Sequence, residues 1–127
     1  MDMIKKVTIG VDVGGTNTAI GIVDADGNVI IKDNIQTATH GNFEKFIEDL
    51  AVSIKKLIDT GKSFNENLEV VGIGIGAPNG NYYSGTIEYA PNLSFRGVLH
   101  FVKLLRNYFP DLQAIALTND ANAAAIG

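Results

Sequence analysis

Two adjacent glycines stand early in the chain, within the stretch GVDVGGTNTAIG (residues 10–21). A turn that lacks side chains can bring its backbone N–H groups around an anion such as a phosphate, and the hydroxyl of Thr16 adds a donor. Asp12, just before the glycines, could hold a hydrated Mg²⁺ beside that phosphate, and its presence favours such a site. The alternative is an ordinary hairpin turn in which the glycines adopt positive φ.

A second group of polar residues, Asn119 and Asp120, follows the apolar run AIAL near the end of the sequence. A carboxylate at the junction of a strand and a helix can accept a proton from a substrate hydroxyl, while Asn119 orients the same sugar. The alternative is that Asp120 only stabilises the first turn of a helix, an effect of roughly 1 kcal/mol. Both interpretations remain open at this point.

Two other nucleotide-binding motifs are excluded. A Walker loop requires G-x-x-x-x-G-K-[ST], and no such run occurs in the chain. Gly72, Gly74 and Ala77 match the Rossmann pattern G-x-G-x-x-A, but the sequence PNGN that follows cannot begin the required helix. A substrate or a neighbouring strand close to the backbone explains these glycines better. His40 and His100 have no partner at a metal-ligand spacing.

The elements that position these residues follow from the spacing of the apolar residues. Alternation over residues 7–13 predicts a strand with Asp12 opposite its valines, and residues 20–23 predict a second strand. The turn residues Asp26 and Gly27 lead into a third strand, which completes an antiparallel meander. Helical spacing then begins at Phe43, with Asn42 as the expected N-cap and Gly61 as the expected end. 

The remaining half of the chain predicts alternating strands and helices. The segment LEVVGIGIGAP is expected to form a strand, followed by a loop with a short hairpin around Tyr83 and Ile87. A second helix is predicted over residues 97–109, and AIALTND is the last strand, leading into a helix. Strands joined through helices should be parallel to the first strand, while the second strand runs against them.

Composition limits the possible partners and compartments. The 127 residues are the size of one domain, 46% of them are hydrophobic, and the net charge is -4, which disfavours nucleic acid as a partner. The absence of cysteine fits a reducing compartment, and no apolar stretch reaches the roughly 18 residues of a membrane helix. We therefore expect a cytoplasmic protein with no membrane partner. The final residues resemble the opening of a helix, so a longer protein is expected.

Four stretches of the sequence together resemble the ROK family (repressor, open reading frame, kinase), and within it the bacterial glucokinases. They are GVDVGGTNTAIG, VGIGIGAPNG, GTIEYAPNL and LTNDANAAAIG, in the family's order and spacing. The resemblance implies an α/β fold of the actin-like, ribonuclease-H-like ATPase type, with a mixed five-stranded sheet, an N-terminal antiparallel meander and flanking helices. It implies that residues 1–127 form the N-terminal lobe alone, without the C-terminal lobe.

The resemblance also implies roles for matching positions. Asp120 would be the catalytic base that activates the sugar hydroxyl for attack on the γ-phosphoryl group of ATP. The implied site for ATP and Mg²⁺ comprises Asp12, which would hold the metal through water, together with Gly14, Gly15, Thr16 and Asn17. The implied sugar site comprises Gly76, Ala77, Pro78, Asn79, Gly80, Asn92, Asn119 and Asp120. Many relatives have Pro-Gly where this chain has Pro78-Asn79-Gly80, so the shape of that loop stays open.

The implied activity is ATP-dependent phosphorylation of a hexose, most simply of glucose to glucose 6-phosphate. Alternatives are a kinase for fructose, mannose or N-acetylmannosamine, a sugar-sensing transcriptional regulator, and a simple binding module. Nine residues precede Gly10, too few for a DNA-binding helix-turn-helix. The resemblance implies a structural zinc only in the C-terminal lobe and a homodimer of the full-length protein. The lobe alone should have lost nearly all turnover.

Overall fold

A mixed five-stranded sheet forms the centre of the fold. The structure is a computed structural model, and it describes residues 3–39 and 41–119. The elements in chain order are β1 (Lys5–Val13), β2 (Asn17–Val23), β3 (Val29–Gln36), α1 (Phe43–Phe64), β4 (Leu68–Ala77), β5 (Gly80–Asn81), β6 (Thr86–Glu88), β7 (Val98–Leu99), α2 (Phe101–Arg106) and β8 (Ala114–Asn119). The strand order is β3-β2-β1-β4-β8.

Strand directions in this sheet follow the prediction. β1 is parallel to β4, and β4 is parallel to β8, whereas β2 is antiparallel to both β1 and β3. A second sheet of three short antiparallel strands, in the order β5-β6-β7, lies in the connection between β4 and α2. The predicted mixed sheet with its antiparallel meander is therefore confirmed, and so is the short hairpin after β4.

The core lies between the sheet and α1. Alternation in β1 turns its apolar side chains to one face, where the apolar face of α1 covers them. The buried side chains that meet there include Val7, Ile9, Val11, Val13, Ile22, Phe46, Leu50, Ile54, Ile73 and Ile75. Burying each such side chain contributes about 1.5–3 kcal/mol relative to leaving it exposed. None of the described helices is both long and apolar enough to cross a membrane.

Four phenylalanines tie α1 to the loop that precedes α2. The Phe43 ring lies 5.4 Å from that of Phe95 and 5.6 Å from that of Phe101, in edge-to-face arrangements. Phe46 lies 5.6 Å from Phe95 in a tilted arrangement. Since all four side chains are buried, this cluster fixes the loop that carries Asn92 against the start of the helix.

Helix α1 begins as predicted and ends later than predicted. The Lys45 N–H donates to the Asn42 side chain at 2.7 Å, which makes Asn42 the N-cap. Gly61 does not end the helix, which continues to Phe64. A Cβ atom at Gly61 would lie 2.7 Å from Ile22 Cδ1, so this glycine allows the helix to approach the sheet closely. The expectation for Gly61 was wrong because close packing and helix termination both favour glycine.

Replacing Asn42 by alanine should lower the free energy of unfolding by about 1 kcal/mol, because the first-turn N–H of Lys45 loses its acceptor. Urea denaturation followed by circular dichroism measures this change. The matched variant Asn42→Ser keeps a side-chain oxygen and should unfold close to the parent midpoint. Equal midpoints for the alanine, serine and parent proteins would show that this hydrogen bond does not stabilise α1.

The second helix is shorter than predicted. It spans Phe101–Arg106, whereas helical spacing predicted residues 97–109. Gly97 adopts φ +80, a left-handed conformation, and the next residues form β7, in which Leu99 pairs with Ile87. In β7 Val98 is exposed and Leu99 is buried. A run of only two apolar residues fits either a helical turn or a strand, so the apolar spacing could not distinguish them.

The turn between β2 and β3 is stabilised by one carboxylate. Asp24 Oδ1 accepts hydrogen bonds from the backbone N–H groups of Asp26 and Asn28, each at 2.9 Å. The bond from Asn28 has the largest effect, and together the two bonds lower the pKa of the Asp24 carboxyl below its usual value. Gly27 adopts φ +85, as the predicted turn requires.

Candidate functional site

Three of the predicted site segments meet at one edge of the sheet. The parallel strands β1, β4 and β8 all end there, at Val13, Ala77 and Asn119. In the strand register Asp12 pairs with Gly76, Gly76 with Thr118, and Ala77 with Asn119. Neighbouring strands lie about 4.8 Å apart, so β1 and β8 are separated by roughly 10 Å at this edge. This distance is of the order of a bound sugar and phosphate placed side by side.

The glycine turn between β1 and β2 is closed by its own backbone. The Gly14 N–H donates to the Asn17 carbonyl at 3.0 Å, so this group is already used within the turn. Neither Gly14 nor Gly15 has a positive φ. The turn does join the antiparallel strands β1 and β2 as a hairpin, but without the positive-φ glycines that this alternative assumed. Phosphate binding at the turn stays a prediction. A phosphate at this turn would be bound by other donors, such as the hydroxyl of the exposed Thr16.

Lack of space explains both glycines. A Cβ atom at Gly14 would lie 2.6 Å from the Asn17 carbonyl oxygen, and one at Gly15 would overlap the backbone carbonyl oxygen of Asn92. Such distances do not occur between a real Cβ atom and the backbone. The Gly15 contact joins the glycine turn to the loop that carries Asn92, so the two predicted segments lie against each other.

The far end of the glycine turn is hydrogen-bonded to the residues that follow β3. The Thr16 carbonyl accepts hydrogen bonds from the N–H groups of Thr37, at 2.8 Å, and Ala38, at 3.3 Å. Beneath this turn the hydroxyls of Thr18 and Thr37, both fully buried, share a hydrogen bond of 2.7 Å. The turn is therefore held from both sides before any ligand binds, which favours a preformed site.

Asp12 lies on the sheet face that α1 does not cover. Its strand neighbours are Ala19 on one side and Gly76 on the other, so no large side chain flanks the exposed carboxylate. Two residues before Asp12, on the same face of the sheet, small residues pair across four neighbouring strands: Gly21 in β2, Gly10 in β1, Gly74 in β4 and Ala116 in β8. This face lines an open cleft of about 1090 Å³, large enough for a ligand of nucleotide size.

The loop after β4 bends through a residue in a left-handed conformation. Asn79 has φ +55, which asparagine tolerates better than most residues, and its side-chain amide donates to the carbonyls of Glu88 and Tyr89 at 3.0 and 3.1 Å. Gly80 follows, and a Cβ atom there would lie 2.6 Å from the Thr118 carbonyl oxygen. The Pro78-Asn79-Gly80 sequence therefore forms a closed bend that rests on β8.

Most of the predicted site residues lie close together. The glycine turn, Asp12, the segment 76–80 and Asn119 lie at the same edge of the sheet, and the Asn92 backbone contacts Gly15. Asp120, the predicted catalytic base, and His40 lie outside the described residues. Glu88 lies in the stretch GTIEYAPNL and bonds Asn79 through its backbone, a contact that no residue type or spacing in the sequence indicates.

A metal ion at this edge would depend on Asp12. Among the described residues, no three His, Cys, Asp or Glu side chains come together as a metal site. A single exposed carboxylate nevertheless fits Mg²⁺, which usually keeps several waters and takes its other ligands from bound phosphates. The donor set at Asp12 therefore suits a nucleotide-bound Mg²⁺ and not a metal held by the protein alone.

The sheet order and the strand directions are those of the actin-like, ribonuclease-H-like ATPase fold. The chain belongs to the ROK family, whose family model matches residues 8–127. The glucokinase of Streptomyces coelicolor is 33% identical over 123 residues, which cover 95% of this chain and 35% of that protein. The chain thus spans about a third of the length of such curated relatives.

Solved structures agree with this assignment. The chain superposes with a TM-score of 0.69 and 29% identity on a ROK family glucokinase from Streptomyces griseus in complex with glucose and AMPPNP, over 94% of this chain and 35% of that one. A ROK family transcriptional regulator, a homologue of the E. coli MLC protein, gives a TM-score of 0.80 at 18% identity, over 96% and 30% of the two chains. The second likeness concerns the fold alone.

Proposed function

We propose that this chain is the N-terminal lobe of an ATP-dependent hexose kinase, and that the complete enzyme converts glucose to glucose 6-phosphate. The observation that carries the proposal is the meeting, at one sheet edge, of the glycine turn, the Asp12 carboxylate and the strand end at Asn119. The identity of 33% to a glucokinase supports glucose as the sugar. The Streptomyces griseus relative, in complex with glucose and AMPPNP, supports ATP as the phosphoryl donor.

In this proposal the glycine turn and Asp12 bind the nucleotide. Thr16 and Asn17, both exposed on the turn, donate hydrogen bonds to phosphate oxygens. Gly14 and Gly15 allow the turn to pack against the carbonyls of Asn17 and Asn92, which fixes the position of these donors. The Asp12 carboxylate would hold Mg²⁺ through water, and the bound ion would supply neutralisation of the phosphate charge. The small residues beside Asp12 leave room for the ion and its waters.

The other side of the site binds the sugar. Asn119 donates and accepts hydrogen bonds with sugar hydroxyls, while the segment 76–80 and Asn92 line the pocket. Asp120 takes the proton from the attacking hydroxyl, and the hydroxyl oxygen bonds in line to the γ-phosphorus of ATP. The bond between that phosphorus and the oxygen bridging to the β-phosphate breaks, and ADP leaves. Transfer depends on positioning by both lobes, so this lobe alone should have almost no turnover. The complete protein, with a structural zinc in its second lobe, would act as a homodimer.

A panel of sugars tests the proposal on the complete polypeptide. Coupled ADP release should give the highest kcat/KM with glucose, and lower values with fructose, mannose and N-acetylmannosamine. A higher value for one of those sugars would make the protein a kinase of that sugar instead. Sugar binding in a thermal-shift assay without any ADP release would refute the kinase and favour the sugar-sensing regulator, whose fold this chain shares.

A further inference from the structure

Glu88, at the end of β6, accepts hydrogen bonds from polar side chains of the hairpin that follows β4. Its carboxylate oxygen Oε2 accepts a hydrogen bond from Asn81 Nδ2 at 2.8 Å and from the Thr86 hydroxyl at 3.0 Å. The Ser84 hydroxyl lies 3.5 Å from the same oxygen and 2.6 Å from the Thr86 hydroxyl. Bonds to a charged acceptor are stronger than those between neutral groups, so one half-buried carboxylate holds both strands of the hairpin.

The partner of this carboxylate, Asn81, also shapes the turn of the hairpin. Asn81 Oδ1 accepts from the N–H groups of Tyr83 and Ser84, at 3.0 and 3.3 Å, and the Asn81 carbonyl accepts from Gly85 at 2.9 Å. Asn81 can keep this orientation because its Nδ2 group is bound by Glu88. Removing the carboxylate would therefore release the turn as well as the strand pairing.

The backbone of Glu88 fixes the bend before the hairpin. Its N–H donates to the Asn79 carbonyl at 3.0 Å, and its own carbonyl accepts from Asn79 Nδ2 at 3.0 Å. Asn79 is thus held at its positive φ by bonds to the residue whose side chain closes the hairpin. The bend and the hairpin form one connected unit.

This unit continues to the glycine turn. Tyr89, directly after Glu88, has φ +53, a strained conformation for a bulky residue, and its N–H donates to the Gly97 carbonyl at 3.0 Å. Shortly after it, the Asn92 carbonyl packs against Gly15. The segment from Asn79 to Asn92 therefore connects the loop assigned to the sugar with the turn assigned to the phosphates.

From these contacts we infer that Glu88 is a positioning residue: its carboxylate closes the hairpin through Asn81 and Thr86, and its backbone bonds Asn79. Through this hairpin the carboxylate keeps the bend at Asn79 in place and thereby sets the affinity of the site for its sugar. Glu88 does not itself touch the substrate in this scheme. The link to a sugar rests on the proposed function, whereas the hold of Glu88 on the loop rests on the hydrogen bonds alone. Amide hydrogen exchange can therefore test the hold on the loop, and a glucose titration can test the link to the sugar.

The experiment compares Glu88→Ala and Glu88→Gln in the complete polypeptide, with Glu66→Ala as a matched control at an exposed turn position. Amide hydrogen exchange should become at least tenfold faster over residues 79–92 in Glu88→Ala and remain unchanged in α1. Glu88→Gln keeps one oxygen acceptor and should show a smaller increase. Unchanged exchange over residues 79–92 in Glu88→Ala would overturn the inference.

Isothermal titration calorimetry with glucose then measures the sugar affinity. Glu88→Ala should raise the Kd for glucose about tenfold and leave the Kd for AMPPNP within twofold, with Glu88→Gln in between. Faster exchange with an unchanged glucose Kd, or no sugar binding by the parent, would overturn the positioning role. Weaker sugar binding in the variant, combined with no ADP release by the parent, would support Glu88 and refute only the kinase.

Discussion

Replacing Asp120 by asparagine in the complete polypeptide should lower kcat by about 10²-fold to 10⁴-fold, the usual contribution of a general base. The amide has nearly the same shape as the carboxylate but cannot take the proton of the attacking hydroxyl. It can still form hydrogen bonds with the sugar, so the KM for glucose should change by only a few-fold. Steady-state ADP release with glucose and ATP measures both parameters.

The matched control for this variant is Asp111→Asn, which makes the same chemical change at an exposed turn position before β8. It should retain the parent kcat. If Asp120→Asn also kept kcat within a few-fold of the parent, Asp120 would not be the base. A loss of roughly 1 kcal/mol of stability with unchanged kcat would instead identify Asp120 as a residue that stabilises the start of a helix.

Replacing Gly15 by alanine should separate the glycine turn from the loop that carries Asn92. The added Cβ would overlap the Asn92 carbonyl oxygen, and backbone on both sides of the contact has to move. Forced repacking of this kind costs about 1–3 kcal/mol of stability. We also expect the KM for ATP to rise about tenfold, because the turn assigned to the phosphates is displaced. Urea denaturation and ATP titrations of the coupled assay measure the two effects.

Gly41→Ala is the matched control for Gly15→Ala. Gly41 is exposed, has no positive φ, and an added Cβ there would meet no described heavy atom within 4 Å. Its stability should stay within about 0.5 kcal/mol of the parent, as for ordinary surface substitutions. If both alanine variants matched the parent in stability and in the KM for ATP, the contact between Gly15 and Asn92 would have no role in the nucleotide site.

The sheet and α1 could be predicted from the sequence because their apolar residues follow simple periods. Alternation in β1 and the helical spacing from Phe43 each match one kind of element. Gly61 and Gly97 were interpreted wrongly because glycine serves several purposes. The sequence shows that Gly61 has no side chain, but only the structure shows that Ile22 occupies the adjacent space.

Part of the candidate site could be predicted because the order of strands and helices fixes which strand ends are neighbours. The ends of parallel strands meet at one edge of a sheet, so the neighbourhood of Asp12, Gly76 and Asn119 follows from the strand order. The contact of Gly15 with Asn92 joins segments far apart in the chain, and no local pattern indicates it. The role of Glu88 depends on the register of a hairpin whose strands have only two and three residues.

The side-chain hydrogen bonds of the hairpin after β4 are local. Its described side-chain hydrogen bonds, from Asn79 to Glu88, close within residues 79–89. Its steric contacts with the rest of the fold include two glycines, Gly80 against Thr118 and Gly85 against Val102. The backbone of the hairpin is nevertheless fixed to the rest of the fold, because β6 pairs with β7 and the Val102 N–H donates to the Gly85 carbonyl at 3.1 Å. In the proposed kinase, the exposed side chains of this hairpin could therefore change during divergence while the main sheet keeps its register.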